Sequence, residues 1–226
     1  MTFSPALSEP ANRAALAFRA AIDNACWEGV EETATSLVST YIRFDLSQQD
    51  HQSVRKLLVD LLSERAWLKA DFPKGRRLWR IPTVYGGEAG PQLEEAARAA
   101  GLSVTDAIDS LSSTRVRVQT IGFAPGMPYL GELPQQWDLP RLTELTKKAP
   151  AGALCVAIRQ LVMFPAATPT GWRQVGRTAL QLFRPETEQP FVLRPGDEVQ
   201  FVSISADALE SAKREPDGGA VAEPLS

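Results

Sequence analysis

A small α/β layer followed by a closed or nearly closed β-barrel is the architecture that the sequence predicts, α+β as a whole. Three observations predict it. Helix-period apolar patterns dominate the N-terminal third, short apolar runs broken by Pro and Gly fill residues 78–205, and a Pro/Gly/basic segment, Phe72-Pro73-Lys74-Gly75-Arg76-Arg77, separates the two. These give a domain over residues 1–75, a barrel over 78–205, and a tail over 206–226 that lacks a packed pattern and is expected to be disordered.

The elements follow in order. Asn12 to Ala25 is rich in Ala, with Leu16, Phe18 and Ile22, and reads as a helix. Leu37 to Phe44 alternates imperfectly and reads as one strand, paired with a shorter one near Val30. Gln48 to Trp67 is a second helix, because Val54, Leu57, Leu58, Leu61 and Leu62 fall on one face, and Asp45-Leu46-Ser47 offers caps before it. His51 lies off that stripe and reads as a solvated surface residue. The Lys74/Arg76/Arg77 cluster reads as a solvated linker.

In the second part, Leu78 to Tyr85 is a strand ending at Gly86-Gly87. Pro91 to Ala100 is a short helix closed by Gly101, and Ser103 to Ser110 opens with Ser103 and Asp106 as a helix cap. Arg115 to Ile121 alternates and reads as a strand. It runs into Gln119–Leu133, QTIGFAPGMPYLGEL, whose density of Gly and Pro predicts a loop. Such a loop either only turns and packs or walls a small-molecule pocket. Pro150 to Phe164 is a continuous apolar run, either one buried strand or two strands meeting at a kink. Arg159 and Gln160 within it must line a cavity or face solvent on an edge. Thr168 to Trp172 is a turn, Trp172 to Phe183 a strand with a bulge or turn, Arg194-Pro195-Gly196-Asp197 a type II turn, and Glu198 to Ile204 the closing strand.

Composition narrows the function classes. A net charge of −3 is opposed to a nucleic-acid binder working through a strong basic field. No apolar run reaches membrane-spanning length, and the N-terminus lacks the pattern of a secretion signal, so a cytoplasmic location is expected. Cys26 and Cys155 are then expected as reduced, half-buried thiols. With one histidine, His51, a catalytic triad or a multi-His metal site has little to build on, and no metal is expected. Phosphate-loop, dinucleotide and G-x-S-x-G signatures are missing from the sequence.

At the loop, IGFAPGMPYLGEL resembles the IGFAPGFPYLGGL signature of the family of 5-oxoprolinase B-type subunits, also called allophanate hydrolase subunit 1 or KipI-like proteins. Upstream, IPTVYGGEAGPQLEEAARAAGLSVTDAI resembles that family's IPV.YGGE.GPDLEEVA...GLS..EVI segment. Pro140-Arg141, Pro150-Ala151-Gly152, Gly171-Trp172, Val175-Gly176-Arg177-Thr178 and Pro195-Gly196-Asp197 stand in the family's order, so the resemblance covers about residues 10–205. It implies a ferredoxin-like N-terminal domain and a cyclophilin-like C-terminal barrel. It also implies a C-type partner (allophanate hydrolase subunit 2-like) and an A-type lactam-utilisation partner, which together with it open the 5-oxoproline ring with ATP. ATP then belongs to the complex, with no cofactor held by this chain alone. Related members implied by the same resemblance are carboxyltransferase or allophanate hydrolase subunits and, in KipI itself, an inhibitor of a histidine kinase.

Under that resemblance the substrate-binding candidates are Phe123, Tyr129, Arg141, Arg159, Gln160, Trp172 and Arg177, with no catalytic residue assigned. Gln160 would polarise a carbonyl or orient an amide, the arginines would pair with a carboxylate, and Tyr129 and Trp172 would wall the pocket. The plainer reading makes Tyr129 and Trp172 core packing and Arg177 a turn-stabilising donor. The sequence departs from the family in places. With MTFSPALSEP at the start the family's opening strand is missing or replaced, Leu111 stands where the family has His, Met127 replaces a Phe and Glu132 a Gly. The family's AIAGGQTGIYP becomes Cys155 to Pro165, with Ile158, Arg159, Leu161 and Val162 for Gly, Gly, Thr and Gly. These replacements are expected to narrow or reshape the pocket, and they are the ground for a binding protein that has lost catalysis.

Overall fold

The computed structural model describes residues 1–225, and the chain divides into one unit of Met1–Gly75 and a second from Arg76 onward. In the first unit, helix α1 (Glu9–Ala25) starts earlier than the apolar pattern predicts. Ser8 caps it by accepting from Ala11 N, with Glu9 and Pro10 in its first turn. The single strand expected over Leu37–Phe44 is instead the second half of a hairpin, β1 (Val30–Ser36) and β2 (Ser39–Phe44). Leu37 sits in its turn at φ 51, and the buried Asn12 side chain donates to its carbonyl. Helix α2 (His51–Ser63) is capped by Asp50, which accepts from Gln52 N and Ser53 N, not by Asp45–Ser47. It ends before the predicted Trp67 because the Trp67 indole turns back and donates to Leu61 O and Leu62 O at 3.3 and 3.2 Å. Trp67 then packs edge-on against Phe18 in this unit's core. His51 is exposed.

The opening strand expected to be missing or replaced is present as a fragment. Thr2 bridges Ser39, Phe3 N donates to Val38 O, and Thr40 N donates to Met1 O. A ferredoxin-like layer needs the order β-α-β-β-α-β. The described residues of this unit supply α1-β1-β2-α2 and that bridge.

The second unit is built on strands β3 (Arg77–Tyr85), β4 (Val116–Ile121), β5 (Pro128–Gly131), β6 (Thr146–Ala149), β7 (Ala153–Ala157), β8 (Gln160–Met163), β9 (Thr168–Thr170), β10 (Arg173–Thr178), β11 (Glu198–Ser203) and β12 (Val221–Pro224). Their order β10-β7-β8-β5-β4-β11-β3 closes when β3 pairs with β10, giving a seven-stranded barrel. β11 runs parallel to β3 and the other barrel pairs are antiparallel. Strand alternation sends Val118, Leu130, Leu154, Val156, Leu161 and Met163 into one core. Helices α3 (Leu93–Ala99) and α4 (Val104–Ser113) pack on that core through Leu93, Ala96, Ala107 and Leu111. The Ser103/Asp106 cap is present, with Asp106 N donating to Ser103 Oγ at 3.1 Å.

Several expectations change here. The predicted loop over Gln119–Leu133 is a hairpin whose second half, β5, is a strand; Pro128 opens it and so blocks little pairing. The Pro150–Phe164 run is a tight hairpin of β7 and β8. The predicted turn at Thr168–Trp172 carries β9, paired with β6 in a separate small sheet. The strand expected to reach Phe183 ends at Thr178. The tail expected to be disordered forms helix α5 (Ala206–Ala212), capped by Ser205, and β12, which adds to the edge of β3. Leu209 and Ala220 of this tail are buried.

The turn at Arg194–Asp197 closes with Asp197 N donating to Arg194 O at 3.0 Å, and Asp197 does more than turn. Its carboxylate, 2% exposed, accepts from Arg77 N, Arg194 N and, at 2.6 Å, Arg77 Nη2, tying the start of β11 to the start of β3. Among the described residues no helix is long and apolar enough to cross a membrane.

Candidate functional site

Four of the seven candidates come together on the outer face of the barrel, on the sheet β5-β8-β7. Leu130, Leu161 and Leu154 point inward, so Tyr129, Val162 and Cys155, which pair across the strands, point outward. There they form a second apolar cluster with Met127, Phe164, Trp172 and four alanines. Tyr129 meets Trp172 edge-to-face at 6.2 Å, and the exposed Arg141 guanidinium lies 5.1 Å from the Trp172 ring centre. Both aromatics thus do pack, and still present an arginine to solvent. Cys155 lies under this cluster, fully buried, and burial pushes its thiol up to about 12. Cys26 is exposed, so neither thiol is half-buried and both are free.

Gln160 belongs to the same face, two residues from Val162 along β8. Its Nε2 donates to Gln119 Oε1 at 2.6 Å, and both side chains are buried. Gln119 reaches it because β4 bulges there. Val118 pairs with Leu130 and Thr120 with Tyr129, leaving Gln119 as the extra residue. Gly131 makes the room: a methyl on it would sit 2.8 Å from the Gln119 amide atoms. Gln119 and Gly131 were not among the sequence candidates. The signal was available in the break of alternation at Gln119-Thr120, where two polar residues follow each other inside a strand.

The other three candidates lie elsewhere. Phe123 is at the tip of the β4–β5 hairpin, 76% exposed and at φ 69, a backbone region costly for a bulky side chain. Arg159 is in the β7–β8 turn, where it pairs with Glu132 at 3.2 Å and donates from Nε to Leu133 O. Arg177 on β10 lines a cleft next to the Tyr85–Ala89 loop.

Placement changes the meaning of the replaced family positions. Ile158 and Arg159 are the two turn residues of the hairpin, at φ 45 and 58. A two-residue turn with both φ positive favours Gly or Asn, so glycines there serve the turn rather than a ligand's approach. Three backbone bonds hold the strained turn: Ile158 N to Leu139 O, Arg159 N to Trp137 O, and Leu133 N to Arg159 O. Ile158→Gly is therefore expected to stabilise the protein by about 1 kcal/mol, raising the melting midpoint by about 2–4 °C; a lower midpoint would contradict the strain. Leu161 faces the barrel interior and Leu111, on α4, is fully buried in the same core. Neither faces the outer site. Val162 and Met127 do lie on that face, in the cluster beneath Tyr129 and Trp172.

The arrangement offers a held amide, an aromatic wall and a solvent-facing guanidinium, a set suited to a carbonyl and a carboxylate. Among the described residues no group of three or more His, Cys, Asp or Glu could hold a metal ion.

Residues 1–193 match the family model described as carboxyltransferase domain, subdomain C and D. The B-type subunit of 5-oxoprolinase from Bacillus subtilis (strain 168) is 33% identical over 223 residues, covering 94% of this chain and 92% of that protein. The crystal structure of TTHA0988 superposes with a TM-score of 0.74 at 31% identity, covering 91% of this chain. This chain spans only 39% of that longer one. The conserved uncharacterized protein PH0987 from Pyrococcus horikoshii matches with a TM-score of 0.55 at 32% identity, covering 92% of this chain and 94% of its own.

Proposed function

Since this chain belongs to the carboxyltransferase subdomain C and D family, among its 5-oxoprolinase B-type members, we propose that it is the B-type subunit of a 5-oxoprolinase-type complex. The observation that carries this reading is 33% identity over nearly the full length of both chains. The complex opens a lactam ring with ATP, together with C-type and A-type partner proteins, in the cytoplasm. The first unit is a ferredoxin-like layer and the second a cyclophilin-like barrel.

Within that complex the outer face of β5-β8-β7 meets the substrate. Gln160, held by Gln119, orients the lactam amide, and Arg141 on its Trp172 platform takes the carboxylate. Arg159 is a turn residue in this reading, because Glu132 and Leu133 O already occupy it. A binding protein without catalysis would draw on the replaced positions, but of these Leu111, Ile158, Arg159 and Leu161 sit in core or turn, and Val162 and Met127 on the outer face are buried apolar packing that keeps Gln160, Arg141 and Trp172 in place.

The test is co-expression with C-type and A-type partners and measurement of ATP-dependent 5-oxoproline cleavage. Arg141→Ala/Gln160→Ala is expected to lower the rate by roughly tenfold or more while the complex still assembles. Full activity in the double variant would remove these residues from the site. Failure of the parent chain to support cleavage with either partner would remove the function itself.

A further inference from the structure

Barrel closure creates a second site, away from the outer face. β3 pairs with β10 as Tyr85↔Gly176 and Val84↔Arg177, and Gly86 N donates to Val175 O. This sets the Tyr85–Ala89 loop beside Arg177, and α5 with Lys213 forms the opposite wall of a cleft of about 410 Å³. That volume lies in the range of small-molecule sites. The floor is apolar, with Leu209 buried and Tyr85 held by its hydroxyl donating to Phe201 O at 2.9 Å.

Four charged side chains line the cleft, and they are not equivalent. Lys213 and Glu210 pair at 2.5 Å on the tail, and this contact with Lys213, with smaller contributions from the charges of Arg177 and Arg214, holds the Glu210 carboxyl below its usual range. Arg177 and Glu88 remain. Among the described residues neither makes an ion pair, and no hydrogen bond satisfies the backbone N–H groups of Gly87, Glu88 and Ala89. A cation whose charge reaches Glu210 without pairing with it, and an anion outside any ion pair, thus stand on separate elements of one cleft.

We propose that this cleft binds a free amino acid as its zwitterion, its carboxylate on Arg177 and its ammonium on Glu88, with the side chain over Leu209. The forked guanidinium matches a carboxylate in two bonds, and the carboxylate of Glu88 accepts from an ammonium. The α5 wall lies beyond residues 1–193, so the family-matched barrel supplies the arginine and the tail completes the enclosure. The proposal does not depend on the outer-face site or on the complex.

The experiment is calorimetric titration of the full chain alone with L-leucine, L-glutamine and L-glutamate, and with the N-acetyl and carboxamide derivatives of each. Saturable binding of at least one amino acid is expected. It should weaken by roughly tenfold or more on acetylation, on amidation, and in Arg177→Met and Glu88→Gln. Glu88 is exposed on a loop, so its variant keeps the fold. The proposal is overturned if none of the three amino acids binds, if the derivatives bind equally well, or if E88Q binds like the parent.

Discussion

Gly90→Ala is expected to lower the stability of the barrel unit by about 3 kcal/mol and its melting midpoint by about 6–12 °C. Gly90 lies between β3 and α3, where the chain turns back over β10. A methyl there would sit 2.0 Å from Val175 O, 2.3 Å from Val175 C and 2.7 Å from Gly86 N. All three atoms are backbone, so no side-chain rotation relieves the clash. The same carbonyl accepts from Gly86 N, and Gly90 N donates to Gly86 O at 2.8 Å. Moving the turn away would break the Gly86 N–Val175 O bond beside the β3–β10 seam that closes the barrel. Gly122→Ala is the matched control, since a methyl there meets nothing within 4 Å. Its midpoint should stay within about 2 °C of the parent in differential scanning calorimetry. Equal melting of the two variants would contradict the close approach at Val175.

The second large effect is expected at Asp197. Asp197→Asn should cost about 3 kcal/mol, at the low end for breaking a buried ion pair because Arg77 keeps 25% of its side chain exposed. The carboxylate collects two backbone N–H donors and the Arg77 guanidinium, whose Nη2 also donates to Val192 O at 2.9 Å. An amide has one accepting oxygen and a donating NH2 in place of the other, so at least one buried donor loses its partner. Chemical denaturation of D197N, R77M and the double variant separates pairing from packing. The double variant should lose less than the sum of the singles. Strict additivity would mean that the two residues do not act as a pair.

Much of the fold was legible because it is local. The Val54–Leu62 stripe, the Ser103/Asp106 cap and the Pro195-Gly196 turn each declare themselves within a few residues, and each is found in the structure. The α5 helix was equally local: Ser205 caps it by accepting from Ala208 N, but seven residues with Leu209 as the one large apolar side chain give too short a pattern to stand out. What was not legible depends on pairing at long range. The strand character of Pro128–Gly131 comes from its neighbours β4 and β8, which override the Gly and Pro within it. The same holds for the candidate site. Tyr129, Trp172, Arg141 and Gln160 were marked by the family blocks, but Gln119 enters only through a bulge, and Asp197 becomes an anchor only when Arg77 arrives from 120 residues away.

The parallel pairing of β3 with β11 bears on how the chain is made. Leu78 of β3 lies opposite Glu198, and Arg77 lies opposite Pro224. During synthesis the first unit is complete and can fold once Gly75 has left the ribosome. β3 follows at once, yet its partners on both edges are translated only much later. A nine-residue strand rich in Leu, Trp, Ile and Val is therefore held open through most of the barrel's synthesis. The barrel can close only once β11 has been made, so this edge stays open to wrong partners over that interval.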